Sequence, residues 1–98
     1  MSYYRVLVDG VGIYEAVDRD CPKDHPCREN KPDGSWVPKV GEKYPGAFSF
    51  WTEYGWKRYQ ESGLFDWHKA IVKGNVSVQE ITEKPDNVLY EDEFQLIV

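Results

Sequence analysis

The spacing of the prolines constrains this chain more than any other feature. Five of its six prolines fall within residues 18–47, and they are Pro22, Pro26, Pro32, Pro38 and Pro45. Proline lacks the backbone N–H and is poorly tolerated inside helices and central strands. The pattern predicts a long irregular loop at residues 18–47, and a loop of that length is usually functional or flexible.

Regular structure is predicted on both sides of this loop. Tyr3–Val8 alternates and is rich in aromatic and β-branched residues, which favours a strand. Residues 11–17 favour a short helix, although a second strand also fits. After the loop, residues 47–51 predict a buried strand. Thr52 is a good N-cap for the helix that follows, and Ser62-Gly63 is a good stop signal.

The remaining third of the chain is predicted to be mostly strands. Residues 65–71 form a second short helix or a strand-like turn, and strands are expected near residues 76–81, 88–90 and 94–98. Strands at both ends with helices between them indicate an α+β fold: a small, mainly antiparallel sheet with one or two short helices. A length of 98 residues indicates a single domain, residues 1–98.

The charge of the chain is unevenly distributed. The net charge is −5, and residues 1–78 balance 11 acids against 11 bases, so the whole excess lies in residues 79–98. An acidic surface there repels phosphate backbones, which argues against nucleic acid as a partner. No apolar run is long enough to cross a bilayer, and the N-terminus does not resemble a signal peptide. A cytoplasmic location without membrane contact is therefore expected.

Cys21, His25 and Cys27 are the candidate metal ligands. Two thiols and one imidazole within seven residues would supply three zinc ligands, although the spacing is not the C-x2-C pattern of zinc knuckles. A Cys21–Cys27 disulfide is the second possibility and needs an oxidising compartment. Two free thiols in a surface loop are favoured, and no cofactor is predicted.

His68 is the other candidate for chemistry. Asp66 is near in sequence, but residues two apart on a helix face different ways, so the carboxylate is poorly placed to hold the imidazole. The favoured interpretation is a polar histidine at the edge of an aromatic core.

A dispersed pattern resembles a known family. Arg5 lies on the first strand, Ser49 on the strand that enters the helix, and Glu91 and Glu93 precede the last strand. This order resembles the arginine–serine–glutamate arrangement of ADP-ribosyltransferases, which bind NAD in a split sheet. The resemblance implies that Arg5 holds the dinucleotide, that Ser49 supports the site and that Glu93 steers attack at the ribose. Glu91 would then contact the acceptor.

Aromatic residues are concentrated in the centre of the chain. Residues 48–67 contain eight of the 15 aromatic side chains. Five of them are predicted to build the core: Phe48, Phe50, Trp56, Tyr59 and Phe65. Trp51, Tyr54 and Trp67 are the predicted binding residues, because tryptophan and tyrosine are enriched at interface hot spots. The leading hypothesis is a small intracellular binding or protein-interaction module that uses this aromatic-rich surface, with another protein as its partner. The alternative is an ADP-ribosyltransferase-like NAD-binding enzyme.

Overall fold

The computed structural model describes all residues from 1 to 98. Nine helices and strands follow in the order β1 (Tyr3–Val8), β2 (Val11–Gly12), α1 (Ile13–Asp20), β3 (Ser49–Thr52), α2 (Glu53–Glu61), α3 (Leu64–Ile71), β4 (Val76–Ile81), β5 (Tyr90–Glu91) and β6 (Gln95–Ile97). The predicted α+β fold with a mainly antiparallel sheet is confirmed. The sheet carries three helices rather than one or two, because residues 13–20 and 64–71 are both helical. None of the three has the length and apolar character needed to cross a membrane.

Local sequence signals explain where several elements turn or end. Asp9 and Gly10 both have positive φ, as a two-residue hairpin between antiparallel strands requires, and they connect β1 to β2. The Thr52 side chain accepts a hydrogen bond from the backbone N–H of Gly55 and caps α2. Gly63, with φ +83°, separates α2 from α3.

The sheet is split along one edge of β1. β4 pairs with β1 over all six residues, so one edge of β1 is fully occupied. The opposite edge is shared, since β3 pairs with Tyr3 and Tyr4 while β2 pairs with Leu7 and Val8. Arg5 and Val6 therefore have no strand partner on that edge. Beyond β3, the sheet continues through β6 to β5.

The two faces of the sheet carry cores of different size. The three helices cover one face and enclose a cluster of nine buried residues: Val6, Val8, Ile13, Ala16, Val17, Trp51, Tyr59, Leu64 and Phe65. On the other face only Tyr3, Phe50 and Leu96 form a buried cluster. Because neighbouring strand residues point to opposite faces, Phe50 and Trp51 are both buried, each in a different cluster.

The loop between α1 and β3 contains no strand. Two short 3₁₀ turns, Pro26–Arg28 and Gly41–Lys43, are its only regular pieces. Trp36 and Val37 pack against the helix-side cluster and attach the second half of the loop to the core. The loop crosses the side of the molecule on which the sheet is split, and it supplies part of the wall described next.

Candidate functional site: a cleft at the split of the sheet

A cleft of about 770 Å³ opens where β2 and β3 separate along β1. Arg5 and Val6 line it from the unpaired part of β1, Gly12 from β2, and all of Ser49–Trp51 from β3. The proline-rich loop, one side of α1, and Leu64 and His68 of α3 complete the wall. We call this feature the split cleft. Its volume is in the range typical of small-molecule sites.

Arg5 extends across the split. Its guanidinium carbon lies 4.6 Å from the centre of the Phe48 ring, next to β3, and Nη2 lies 3.9 Å from the position that a Cβ on Gly12 would occupy. No carboxylate lies within ion-pair distance of it, and Glu15 acts on its charge only from further away. Burial lowers the pKa of Arg5. The side chain is thus a partly desolvated cation whose fork of N–H donors has no protein acceptor.

Cations outnumber carboxylates in the split cleft. Its lining contains five basic side chains, Arg5, Lys23, Arg28, Lys31 and Lys39, against three acidic ones, Glu15, Asp18 and Glu42. This excess stands out because the whole chain carries a net charge of −5. Arg28 and Asp18 neutralise each other through a hydrogen bond of 2.8 Å, which leaves four basic side chains against two acidic ones. A cleft lined in this way attracts anions.

His68 reaches the cleft from the core of the molecule. It is only 1% exposed, and the Tyr59 hydroxyl lies 2.7 Å from its Nδ1. Burial, with Lys31 and Arg28 nearby, lowers the pKa of His68 to about 4, and burial raises the pKa of Tyr59. Both side chains are therefore neutral at pH 7. The expected polar histidine beside the aromatic core is present, but it is fully buried, because α3 packs His68 onto α2 between the core rings and the cleft. Asp66 does not hold it, as expected, and pairs with Lys69 at 3.2 Å.

The residues implied by the ADP-ribosyltransferase resemblance are only partly brought together. Arg5 and Ser49 line the split cleft, but Glu91 and Glu93 do not. The backbone of Glu93 lies beside Thr52, at the opposite end of β3 from Ser49 and about 10 Å along the strand. Glu91 accepts hydrogen bonds from Lys84 and Tyr3. In place of a glutamate, β6 contributes the buried Gln95 to the cleft.

The two cysteines form a disulfide in this structure. Cys21 ends α1 and is fully buried, because it continues the apolar face that includes Val17, four residues earlier. Its Cα lies 6.2 Å from that of Cys27, an ordinary disulfide separation. The favoured expectation of two free thiols in a surface loop does not match this geometry. His25 lies beside them, and the ligand atoms of all three residues fall within 4.8 Å of one another, so a metal would bind there only with both thiols reduced.

The predicted aromatic binding residues have three different environments. Trp51 is buried and stacks on Tyr59, with ring centres 4.8 Å apart. Trp67 is half-buried, and the Lys31 ammonium lies 6.0 Å from its ring centre. Tyr54 is 52% exposed and stacks on Phe94. Phe48, which was predicted in the core, is instead 53% exposed and covers Arg5.

Tyr54 belongs to a second surface feature. We define the aromatic patch as Trp36, Tyr54, Arg58 and Phe94. The Arg58 guanidinium lies 4.9 Å from the ring centre of Trp36 and 5.5 Å from that of Phe94. Sequence reasoning missed this patch, because Trp36 and Phe94 lie far from residues 48–67 in the chain.

The comparisons add no relative to this description. No protein-family model, no curated protein and no solved structure matches the chain.

His68 and Gln95 were not predicted from the sequence as cleft residues. The one available signal for His68 was its spacing of nine residues from Tyr59, which has meaning only once α2 and α3 are known to fold back on each other.

Proposed function

We propose that this protein is a small binding module that takes an anionic ligand in the split cleft. The observation that carries the proposal is Arg5, a partly desolvated guanidinium with no carboxylate partner, in a lining where cations exceed acids by five to three. An uncompensated cation that is partly removed from water costs stability, so a site that keeps one is suited to a ligand of opposite charge. Charge-assisted hydrogen bonds to phosphate or carboxylate oxygens would satisfy its donors.

Pyrophosphate is a suitable first probe because it presents two anionic groups without a base or sugar. Isothermal titration calorimetry in magnesium-free buffer would measure its affinity for the wild-type protein and for Arg5→Leu. We expect Arg5→Leu to weaken binding at least tenfold, since hydrogen bonds to a charged group contribute about 1.5–3 kcal/mol. Arg58→Leu is the matched control, because Arg58 lies in the aromatic patch and not in the split cleft. Equal affinities of the two variants would contradict the proposal.

NAD is a narrower candidate for the same site. Arg5 and Ser49 support it, because both line the split cleft as the ADP-ribosyltransferase resemblance implies. The positions of Glu91 and Glu93 weigh against transferase chemistry, so we propose NAD only as a ligand to be tested beside pyrophosphate. A thermal shift in millimolar NAD that is lost in Arg5→Leu would support it. Absence of a thermal shift, together with no turnover of labelled NAD, would exclude both NAD binding and an NAD-dependent enzyme activity.

Protein binding through the aromatic patch is the second candidate function. The exposed Tyr54 ring and the stacked Arg58 guanidinium favour it, because tyrosine, tryptophan and arginine dominate interface hot spots. A photo-crosslinking residue at position 54, introduced in the living host, should give one discrete adduct. The same residue at the exposed position 83 is the control. Equal adducts from both positions would contradict a dedicated patch.

A cytoplasmic location also stays a proposal, and it has a direct consequence for the cysteines. A reducing compartment would hold Cys21 and Cys27 as thiols. If cells are lysed directly into denaturing buffer that contains an alkylating reagent, mass spectrometry should then find both cysteines alkylated. Unmodified cysteines would place the protein in an oxidising compartment. Nucleic acid is not among the proposed ligands, because the excess acidic charge of residues 79–98 disfavours it.

A further inference from the structure

His68 offers one ring nitrogen to the split cleft, although the residue as a whole is 1% exposed. Its Nδ1 is occupied by the Tyr59 hydroxyl, and its Nε2 has no hydrogen-bond partner in the protein. No fully buried side-chain nitrogen or oxygen in the molecule lacks a partner. Nε2 must therefore keep contact with accessible space, and the space that His68 lines is the split cleft.

The contact with Tyr59 determines which nitrogen carries the proton. The Tyr59 hydroxyl is buried and has no other acceptor, so donation to Nδ1 is the arrangement that leaves no buried proton unpaired. Nδ1 is then the acceptor, and the proton of the neutral ring lies on Nε2. The cleft wall thus presents an N–H donor whose direction is fixed by the packing of α2 against α3.

The side chains around this end of the cleft are also donors. Lys31 and Arg28 lie close enough for their charges to lower the pKa of His68. Asp18 is the carboxylate whose charge acts on His68, and it is paired with Arg28. Arg28 also donates to the carbonyl of Cys21, so its donors are engaged, whereas the Lys31 ammonium has no hydrogen-bond or ion-pair partner in the protein. Lys31 and the Nε2–H of His68 are therefore the free donors at this end of the cleft, and the strongest acceptors for them are anionic oxygens.

We propose that His68 is a ligand-binding residue of the split cleft, whose Nε2–H donates to a phosphate or carboxylate oxygen, and that Tyr59 is the positioning residue that holds the proton on Nε2. This inference rests on the proposed function, which supplies the anion, and it adds a second recognition point to Arg5. The two points are chemically different, since Arg5 brings charge and His68 brings a neutral donor of fixed direction.

Long-range ¹H–¹⁵N spectra of the histidine side chains test this assignment in the wild-type protein. At pH 7 we expect His68 with the proton on Nε2 and none on Nδ1. Addition of pyrophosphate should shift the Nε2 signal of His68 and leave that of His25, which lies outside the cleft, unchanged. Citrate forms a second arm: a shift with pyrophosphate alone indicates a phosphate ligand, and an equal or larger shift with citrate indicates a carboxylate ligand.

A pair of variants tests the same point by affinity. Tyr59→Phe keeps the imidazole, whereas Tyr59→Phe/His68→Phe replaces both polar partners with rings of similar size, a change that is often nearly neutral for folding. Pyrophosphate affinity should fall about threefold in the single variant and at least tenfold in the double variant. Circular dichroism checks that both variants keep the fold. The NMR experiment above uses only the wild-type protein, so its result does not depend on either variant.

The outcomes separate this inference from the proposed function. If anions bind and Arg5→Leu weakens them while the Nε2 signal stays fixed, the role of His68 is wrong and the proposed function stands. Equal pyrophosphate affinity of Tyr59→Phe and Tyr59→Phe/His68→Phe would likewise show that the role of His68 is wrong while the proposed function stands. If neither anion binds the wild-type protein, both proposals are overturned.

Discussion

The two junctions that β3 makes within the sheet are built differently. On the β6 side, which we call the closed junction, three successive residues of β3 pair with β6. The Thr52 hydroxyl there donates to the carbonyl of Glu93 and accepts from the N–H of Gly55. On the β1 side only two residues of β3 pair, and the sheet then opens into the split cleft.

This difference separates stability from recognition. The closed junction satisfies its backbone groups and packs α2 tightly against the start of β6. The split cleft instead leaves Arg5 without a carboxylate and His68 with a free nitrogen. Substitutions at the closed junction should therefore reduce stability, and substitutions in the split cleft should mainly reduce ligand binding.

The largest expected effect is at Gly55 in the closed junction. A Cβ at this position would overlap the carbonyl oxygen of Phe94, a backbone atom that cannot move aside without displacing β6. Gly55→Ala should lower the free energy of unfolding by about 3 kcal/mol, measured by urea denaturation. Gly41→Ala is the control, because a Cβ there meets nothing within 4 Å. Similar losses in the two variants would mean that the junction is not tightly packed.

One residue of the split cleft, His68, is expected to affect the stability of the fold, and its effect depends on pH. Its pKa is about 4 in the folded protein, against 6.5 for the free side chain, so the unfolded chain binds a proton first as the pH falls. The contribution of neutral His68 to the free energy of unfolding is therefore fully present above about pH 6.5 and is lost as the pH falls towards 4. Stability should fall by about 2 kcal/mol between pH 7 and pH 5.

The Tyr59→Phe/His68→Phe variant provides the reference for this measurement. Because the lowered pKa of His68 is the source of the expected fall, its removal should flatten the curve. An unchanged pH dependence in the variant would assign the effect to another group.

Arg5→Leu should change the free energy of unfolding by less than about 1 kcal/mol, although it lies on the central strand. Burial already disfavours the charge, and leucine can still cover the Phe48 ring. Urea denaturation of Arg5→Leu measures its stability, and the pyrophosphate calorimetry measures its binding. Together they would show whether Arg5 contributes to binding and not to stability. A loss above 2 kcal/mol would mean that Arg5 is structural, and the comparison of the two junctions would fail.

The smallest effect is expected at Tyr54 in the aromatic patch. Its ring stacks on Phe94 but is 52% exposed, so Tyr54→Ala should cost about 0.5 kcal/mol. Tyr54→Phe keeps the stacked ring and should match the wild-type protein in thermal denaturation. A loss of several kcal/mol in Tyr54→Ala would show that the patch is part of the core.

Features encoded by neighbouring residues were predictable from the sequence. The bounds of β1 and β4, the Thr52 cap and the stop at Gly63 agree with the structure, because strand alternation, capping and positive φ are local properties. The burial of Trp51 and exposure of Phe48 were not predictable. A short strand covered on both faces has no alternation to reveal which side chains are buried.

The split cleft was beyond sequence reasoning for a different reason. It exists because β2 and β3 share one edge of β1, and these two strands are separated by 36 residues of helix and loop. Arg5 and Ser49 were identified only through the family resemblance. Their shared position in the cleft depends on that long-range pairing, as does the placement of Glu93 at the far end of β3.

A ¹H–¹⁵N titration of the backbone amides with pyrophosphate tests the central claim most directly, because it locates the bound anion without any substitution. The amides of Arg5, Val6, Gly12 and Ser49 should shift together and saturate with one dissociation constant, while those of Gly55 and Phe94 at the closed junction stay fixed. Shifts spread over the exposed lysines without saturation, or confined to the aromatic patch, would contradict the claim that the split of the sheet is the binding site.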